Sequence, residues 1–170
     1  IKCRDPAGSD MRTLLLLLFA MTLPGCRTPA TYDVNSFAFI IPPGSKLVLK
    51  QTLSIPTDSA HIKFQQGRVS GGVDEYTVNC QFRVKNLGPQ EIQADTFLIT
   101  NAGDGEEWVS APHTQRFFKN LFLKSDKQPE VMTMICQVWA PPRWGRSISV
   151  PQMREALGDY FSFEFPQTAP

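Results

Sequence analysis

The side chains with the most distinctive chemistry in this sequence are four cysteines, Cys3, Cys26, Cys80 and Cys136. Thiols pair as disulfides, bind metal ions or carry covalent modifications. A metal site is not expected, because no two cysteines form a CxxC pair and the chain contains only two histidines. Each cysteine therefore has to be interpreted from the sequence around it.

Cys26 ends a segment with the properties of a signal peptide. The stretch MRTLLLLLFAMTLPGC, residues 11–26, has a basic residue directly after its methionine and continues as an apolar run over residues 14–23. This run suits the hydrophobic region of a signal peptide and is too short for a membrane-spanning helix, which needs about 20 residues. Translation is expected to start at residue 11, and residues 1–10 are expected to be a non-native upstream extension.

The end of this segment, Leu23-Pro24-Gly25-Cys26, resembles the lipobox of bacterial lipoproteins. The resemblance implies that residues 11–25 are removed and that Cys26 is acylated on its sulfur and on its new amino group. Because each buried methylene contributes about 0.8 kcal/mol, three acyl chains would hold the protein on a membrane almost irreversibly. The same resemblance implies that an arginine rather than an aspartate at position 27 favours the outer membrane, with the domain facing the periplasm. The alternative is a plain secretory signal peptide with an incidental cysteine.

Cys80 and Cys136 remain as partners for a disulfide. Each lies on the apolar face of a strongly alternating strand pattern, so both side chains are expected in the same core. In an oxidising periplasm we expect them to form a disulfide, which would stabilise the domain by about 4 kcal/mol through loop closure. The alternative is two buried free thiols on different sheets.

Residue constellations typical of enzymes are missing from the sequence. Ser-His-Asp catalysis would need His61 or His113, and no serine lies in a GxSxG motif. The adjacent carboxylates at residues 74–75 and 106–107 are of the type that a paired-acid hydrolase uses, but neighbours on a strand point to opposite faces. No phosphate-binding loop or dinucleotide-binding motif is present. We therefore expect no catalytic residue, no cofactor and no metal ion.

The segment WAPPRWGR, residues 139–146, has the composition of a binding surface. Trp139 and Trp144, with Arg143 and Arg146, surround a stiff diproline. Tryptophan and arginine are enriched at interaction hot spots, and loops held by a rigid sheet often carry function. We predict that these four residues contact a partner, either an envelope protein or a cell-wall glycan. Alternatively, Trp139 covers the outer sheet face and Trp144 packs beneath the loop.

Length and charge indicate one folded domain without a nucleic-acid partner. The 170 residues carry a net charge of +1, and from Cys26 onward basic and acidic side chains balance. A balanced surface offers no electrostatic attraction to nucleic acid or to an anionic membrane. We expect residues 26–35 to form a polar tether and residues 36–166 a single β domain.

Alternation of apolar and polar residues dominates that domain. It is clearest at residues 76–84 and 131–140, where one face of each strand is apolar. A tight loop is expected at residues 102–105. Further strands are expected at residues 37–41, 47–55, 61–69, 92–100, 117–123 and 160–165, with brief pairing at 107–110. One helix is expected between Ser149 and Gly158: Ser149-Val150-Pro151-Gln152 matches a capping box at its start, and Gly158 suits the position after its end. About seven strands and one short C-terminal helix predict an all-β fold, an antiparallel sandwich or small barrel.

From Tyr76 onward, the chain also resembles a family of small, uncharacterised proteobacterial lipoproteins. The resemblance lies in the pieces NCQFRV, IQADTF, ICQVW and VPQMREALGDYFSFEF. That family has no assigned activity to carry over. We expect a lipid-anchored envelope lipoprotein whose domain binds or scaffolds without catalysis. The alternatives are a periplasmic hydrolase of cell-wall or polysaccharide material and a small β-barrel inhibitor of a cell-wall hydrolase.

Overall fold

The protein is represented by a computed structural model that describes residues 33–145 and 147–166. The proposed signal peptide, Cys26 and Arg146 lie outside the described residues. The described elements are β1 (Lys46–Leu49), β2 (Leu53–Ile55), β3 (His61–Gln65), β4 (Arg68–Ser70), β5 (Asn79–Val84), β6 (Gln90–Ile92), β7 (Asp95–Ser110), β8 (Thr114–Lys124), β9 (Val131–Ala140), α1 (Val150–Leu157) and β10 (Phe161–Glu164). The predicted all-β fold with one short helix is confirmed.

Eight of the described strands form one antiparallel sheet in the order β10-β1-β7-β8-β9-β5-β3-β4, and β2 pairs with β6 separately. Four buried phenylalanines join distant parts of the large sheet. The ring of Phe82 lies 5.7 Å from that of Phe97 and 5.4 Å from that of Phe161, and Phe161 lies 5.6 Å from Phe64. Because Phe161 is on the edge strand β10 and Phe64 is on β3, near the other edge, the sheet must curl around this core.

The predicted helix and its capping box are confirmed. The Ser149 hydroxyl accepts a hydrogen bond from the backbone N–H of Gln152, and the Gln152 side chain accepts one from the backbone of Ser149. Met153 and Leu157 are buried against the sheet. Gly158 follows with a φ of +56° and touches Gly67 so closely that a Cβ would collide with its backbone. Only glycine satisfies both requirements at that position.

Three strand predictions are wrong because a strand needs a neighbour along its whole length. Residues 61–69 form the β3–β4 hairpin, since Gln66 and Gly67 both adopt positive φ in a two-residue turn. Residues 47–55 divide into β1 and β2, because Leu49 pairs with the first residues of both β7 and β10 and no partner continues beyond it. Residues 92–100 divide between β6, whose last residue Ile92 pairs with β2, and β7, which begins at Asp95 against β1.

The predicted strand at residues 37–41 is also wrong. Short-range hydrogen bonds hold this region in turns: Ser36 donates its N–H to the Asp33 carbonyl, and Phe39 donates to the Ser36 carbonyl. Such local pairing competes with a strand ladder. Ile41 still points into the core, and the half-buried Val34 packs against it.

The tight loop predicted at residues 102–105 does not exist. β7 runs through it as a continuous strand, because β8 pairs with β7 out to Ser110. Cross-strand hydrogen bonds outweigh the local preference of glycine for turns. The ring of Phe118 lies over Gly105, where a Cβ would collide with it. The β7–β8 hairpin therefore extends beyond Lys46, the residue at which β1 begins.

The inward faces of the clearest strands agree with the prediction over most of their length. Cys80, Phe82 and Val84 on β5 are buried, as are Met134 and Cys136 on β9. Two positions differ. Tyr76 lies before β5 and is exposed, and Met132 is partly exposed because the pairing of β5 with β9 shifts by one residue at Arg83 and Val84. β8 contains the predicted strand at residues 117–123; it buries only alternate side chains, and Phe122 faces outward.

Candidate binding surface

The Cys80–Cys136 disulfide forms the base of the candidate surface. The two cysteines lie directly opposite each other on β5 and β9, and both are fully buried. The predicted disulfide is therefore present, and the alternative of free thiols on different sheets is wrong. The bond joins neighbouring strands of one sheet, so it holds the end of β9 at a fixed position relative to β5.

All three tryptophans of the chain lie at the same end of the sheet. Trp108 on β7 pairs with Gln115 on β8, and Trp139 on β9 pairs with Arg116. Trp144 ends a short 3₁₀ helix, Pro142–Trp144, that begins just after β9. We call this region, defined by Trp108, Trp139, Trp144 and Tyr76, the tryptophan end. Trp108 is 53% exposed, Trp144 67% and Tyr76 63%, so much of its surface is apolar and open to solvent.

Trp139 lies under the exposed part of this surface and supports it. Its ring is half-buried and lies edge-on to Tyr76, with 5.9 Å between ring centres. Its backbone N–H donates to the Glu75 carbonyl at 2.7 Å. Its indole N–H is buried and has no hydrogen-bond partner among the described residues. Trp139 thus covers the outer sheet face, which was the alternative prediction for this residue.

Trp144 is exposed and does not pack beneath the loop. Its backbone N–H donates to the Pro141 carbonyl at 2.9 Å, and the Arg143 guanidinium lies 5.3 Å from its ring centre. The loop is held at Gly145, which touches the Phe117 ring so closely that a Cβ would collide with it. Of the four predicted contact residues, Arg143 and Trp144 are presented together at the surface, Trp139 lies beneath Tyr76, and Arg146 lies outside the described residues.

A chain of polar side chains crosses the outer sheet face beside Trp139. Arg116 pairs with Glu107 at 2.7 Å and donates from Nε to Gln137 at 2.6 Å. Gln137 donates to the Glu75 carboxylate at 2.6 Å. The Arg116 guanidinium also lies 4.7 Å from the centre of the Phe118 ring. We call Glu75, Gln137, Arg116 and Glu107 the polar network; it connects β7, β8 and β9 with the segment before β5.

No local pattern marks Arg116 or Gln137, since each depends on partners distant in the chain. The carboxylates at residues 74–75 and 106–107 are not used as adjacent pairs. Instead, one member of each pair, Glu75 and Glu107, lies at either end of the polar network. In this arrangement both carboxylates accept hydrogen bonds from protein donors, which stiffens the surface.

An ion pair with a buried lysine fixes the loop that follows β9. The Lys119 side chain is only 3% exposed, lies beside Cys136 in the sheet, and pairs with Asp104 at 2.7 Å. The Ser147 hydroxyl donates to the same carboxylate at 2.8 Å. Lys119 and Asp104 therefore connect the long hairpin to the segment that carries Trp144.

The two histidines lie apart from each other. His61 is on β3, where burial and the positive charges of Lys63 and Arg83 lower its pKa. His113 is exposed in the turn between β7 and β8. At Asp95, burial acts to raise the pKa, but hydrogen bonds from Ser125, Gln128 and its own neighbour Thr96 outweigh it, with help from the charge of Lys127, and the pKa is lowered.

The described residues hold neither a membrane-spanning helix nor a cluster of metal-binding side chains. Helix α1 is too short to cross a membrane, and the described residues contain no other α-helix. Nor do they contain a group of three or more histidine, cysteine, aspartate or glutamate side chains placed to hold a metal ion. Comparison of the chain with protein-family models, with curated proteins and with solved structures found no match.

Proposed function

We propose that the protein is a lipoprotein of the bacterial cell envelope whose β domain binds a partner at the tryptophan end, without catalysis. The observation that carries this proposal is the exposure of Trp108, Trp144 and Tyr76 at one end of a disulfide-stapled sheet. Exposed aromatic side chains on rigid supports are typical of interaction sites. The polar network and the Lys119–Asp104 pair hold that support, which lowers the entropy lost on binding.

The proposed cellular location is the outer membrane, with the domain facing the periplasm. It is supported by the signal-like segment, by the lipobox-like residues 23–26 and by Arg27 after the cysteine. The Cys80–Cys136 disulfide agrees with an oxidising compartment. The tryptophan end would then bind an envelope protein or a cell-wall glycan.

The hydrolase alternative has less support from the geometry. Its best observation is that Glu75 and Glu107 belong to the same polar network. Both carboxylates, however, are occupied by donors: Arg116 binds Glu107, and Gln137 binds Glu75. A paired-acid hydrolase needs one carboxyl group available to donate a proton to its substrate. The arrangement suits a rigid binding surface better.

Replacing Cys26 with serine is expected to detach the protein from the membrane. Without the thiol no acyl chain can be attached, so the domain should appear in the soluble periplasmic fraction or as an uncleaved precursor. The check is membrane fractionation together with mass spectrometry of the native protein. A native chain with a free thiol at Cys26 and no acyl mass would contradict the anchor.

Replacing Trp144 with alanine is expected to weaken partner capture while leaving the fold intact. A hot-spot truncation costs about 2 kcal/mol of binding, roughly thirtyfold in Kd. Stability should change by no more than about 0.5 kcal/mol, because the side chain is exposed. The measurement is photo-crosslinking in intact cells from a probe placed at Arg143, with identification of the captured molecule.

Leu87→Ala is a matched control for Trp144→Ala. Leu87 is 66% exposed, close to the 67% of Trp144, but follows β5 at the opposite end of that strand from Tyr76. It should reduce neither capture nor the melting temperature. Equal capture by both variants, or a collapsed melting temperature for Trp144→Ala, would argue against the tryptophan end as the contact surface.

A further inference from the structure

One edge of β7 is left open. β1 covers only Asp95–Leu98 of this strand, whereas β8 pairs with it out to Ser110. Beyond Ile99, no other described strand lies on the β1 side of β7. We call residues 102–108 the open edge. An unpaired edge of this length is a template for another strand unless the protein blocks it.

The direction of the backbone groups along the open edge follows from two independent sets of hydrogen bonds. Ile99 donates to Ser45 at 2.8 Å and accepts from Gly44 at 3.0 Å, so its backbone groups face the β1 side. The pairing with β8 then shifts by one residue before Asn101. Since backbone groups alternate in direction along a strand, those of residues 102, 104, 106 and 108 face away from β8.

The second set starts from β9. The backbone N–H of Trp139 donates to the Glu75 carbonyl, on the side away from β8. The backbone groups of Arg116, which lies opposite Trp139, must therefore face β7. Arg116 is paired with Glu107, which therefore faces β8. The backbone groups of Glu106 and Trp108, on either side of Glu107, must therefore face outward. Both routes give the same alternation, and no hydrogen bond to these outward groups occurs among the described residues.

The surroundings of the open edge fit a side chain from an added strand. A cleft of about 290 Å³ lies along it, lined by Asp104, Gly105, Glu106, Phe117, Phe118, Gly145 and Ser147. A Cβ at Gly103 would meet nothing within 4 Å. No described residue therefore covers that face of β7 at Gly103. Cross-strand main-chain bonds supply affinity in such complexes, and a pocket for alternate side chains supplies specificity.

The charged side chains along the open edge indicate the chemistry of its partner. Asp104 and Glu107 are paired with Lys119 and Arg116, but Glu106 is exposed and has no ion-pair partner among the described residues. Resting on the proposed function, since it names the kind of partner, we infer that the open edge binds an extended peptide segment with a basic side chain opposite Glu106. A second copy of this chain fits less well. Antiparallel self-pairing centred on Gly105 would set Asp104 against Glu106 of the second copy, and like charges directly opposite are destabilising.

The test uses the purified full-length protein and an end-blocked heptapeptide of alternating valine and lysine. Amide hydrogen exchange is measured residue by residue, with and without peptide. The even-numbered amides of residues 102–108 should become protected, while the odd-numbered amides, already bonded to β8, should not change. The same peptide with glutamate in place of lysine should give no protection.

Two variants separate the main-chain bond from the charge. Glu106→Ala removes the carboxylate and keeps the outward N–H, whereas Glu106→Pro removes both, and an outward-facing position on an edge strand tolerates proline. The proline variant should bind the lysine peptide about tenfold more weakly than the alanine variant. Their melting temperatures check that both variants fold. The exchange experiment on the unaltered protein does not depend on either variant.

Several results would overturn the inference: no protection with lysine peptide up to about 1 mM, protection of odd and even amides alike, or equal protection by the glutamate peptide. Protection that grows with protein concentration and needs no peptide would identify a second copy as the occupant. If Glu106→Pro keeps partner capture in cells and Trp144→Ala loses it, the proposed function stands and the strand addition fails. If the lysine peptide gives the alternating pattern but no molecule is captured from the tryptophan end, the proposed function fails instead.

Discussion

Loss of the disulfide between Cys80 and Cys136 is expected to lower the free energy of unfolding by about 4 kcal/mol. The bond closes a chain separation of 56 residues, and this restriction of the unfolded chain is lost when the bond is absent. The measurement is urea unfolding of the Cys80→Ala/Cys136→Ala variant. Its melting temperature should fall by about 10 °C or more.

A matched control separates the cross-link from the packing of the sulfur atoms. The unaltered protein, unfolded and refolded under reducing conditions, keeps both thiols but lacks the bond. It should lose most of the same stability, and its dependence on urea should steepen, because the unfolded chain is then less compact. An unfolding midpoint that stays the same without the bond would show that the disulfide does not stabilise the domain.

Replacing Asp104 with alanine is expected to destabilise the domain by about 2–3 kcal/mol. The Lys119 side chain is 3% exposed, and its ammonium group pairs with Asp104 at 2.7 Å. Removing the carboxylate leaves a buried charge without its partner. The effect should fall below that of a fully buried pair, since the Asp104 side chain is 47% exposed. The check is equilibrium unfolding at low and high salt, with little difference between the two because Lys119 is shielded.

Lys119→Met is the control for this ion pair. Methionine keeps the length of the side chain without its charge, so it can pack beside Cys136 and Leu121 at little cost. The double variant Lys119→Met/Asp104→Ala should recover most of the stability that Asp104→Ala loses. If Asp104→Ala alone has no effect on unfolding, the pair is not stabilising, and the loop carrying Trp144 is held mainly by Gly145 and Phe117.

These two contacts bear on binding as well as on stability. The disulfide fixes β9, and the Lys119–Asp104 pair with Ser147 fixes the loop that follows it. Trp144 extends from the segment between them. Variants that loosen either contact should therefore weaken partner capture without altering a residue that touches the partner.

Several features of this protein were readable from its sequence because they depend on neighbours in the chain. Alternation within residues 79–84 and 131–140 identified β5 and β9 and placed Cys80 and Cys136 on their inward faces. The capping box at Ser149 identified the start of α1, since its hydrogen bonds span three residues. An apolar face and a cap are local properties, and the all-β fold with one helix follows from them.

Other features were decided only by tertiary structure, because they depend on partners far apart in the chain. Residues 102–105 look like a turn, yet pairing with β8 keeps them extended. The same pairing extends β7 past β1 and so creates the open edge. The register of β7, β8 and β9 brings Trp108 to the end of the sheet where Trp139 and Trp144 lie. Cross-strand hydrogen bonds and the loss of solvent around buried groups are set by the fold as a whole, and no local pattern records them.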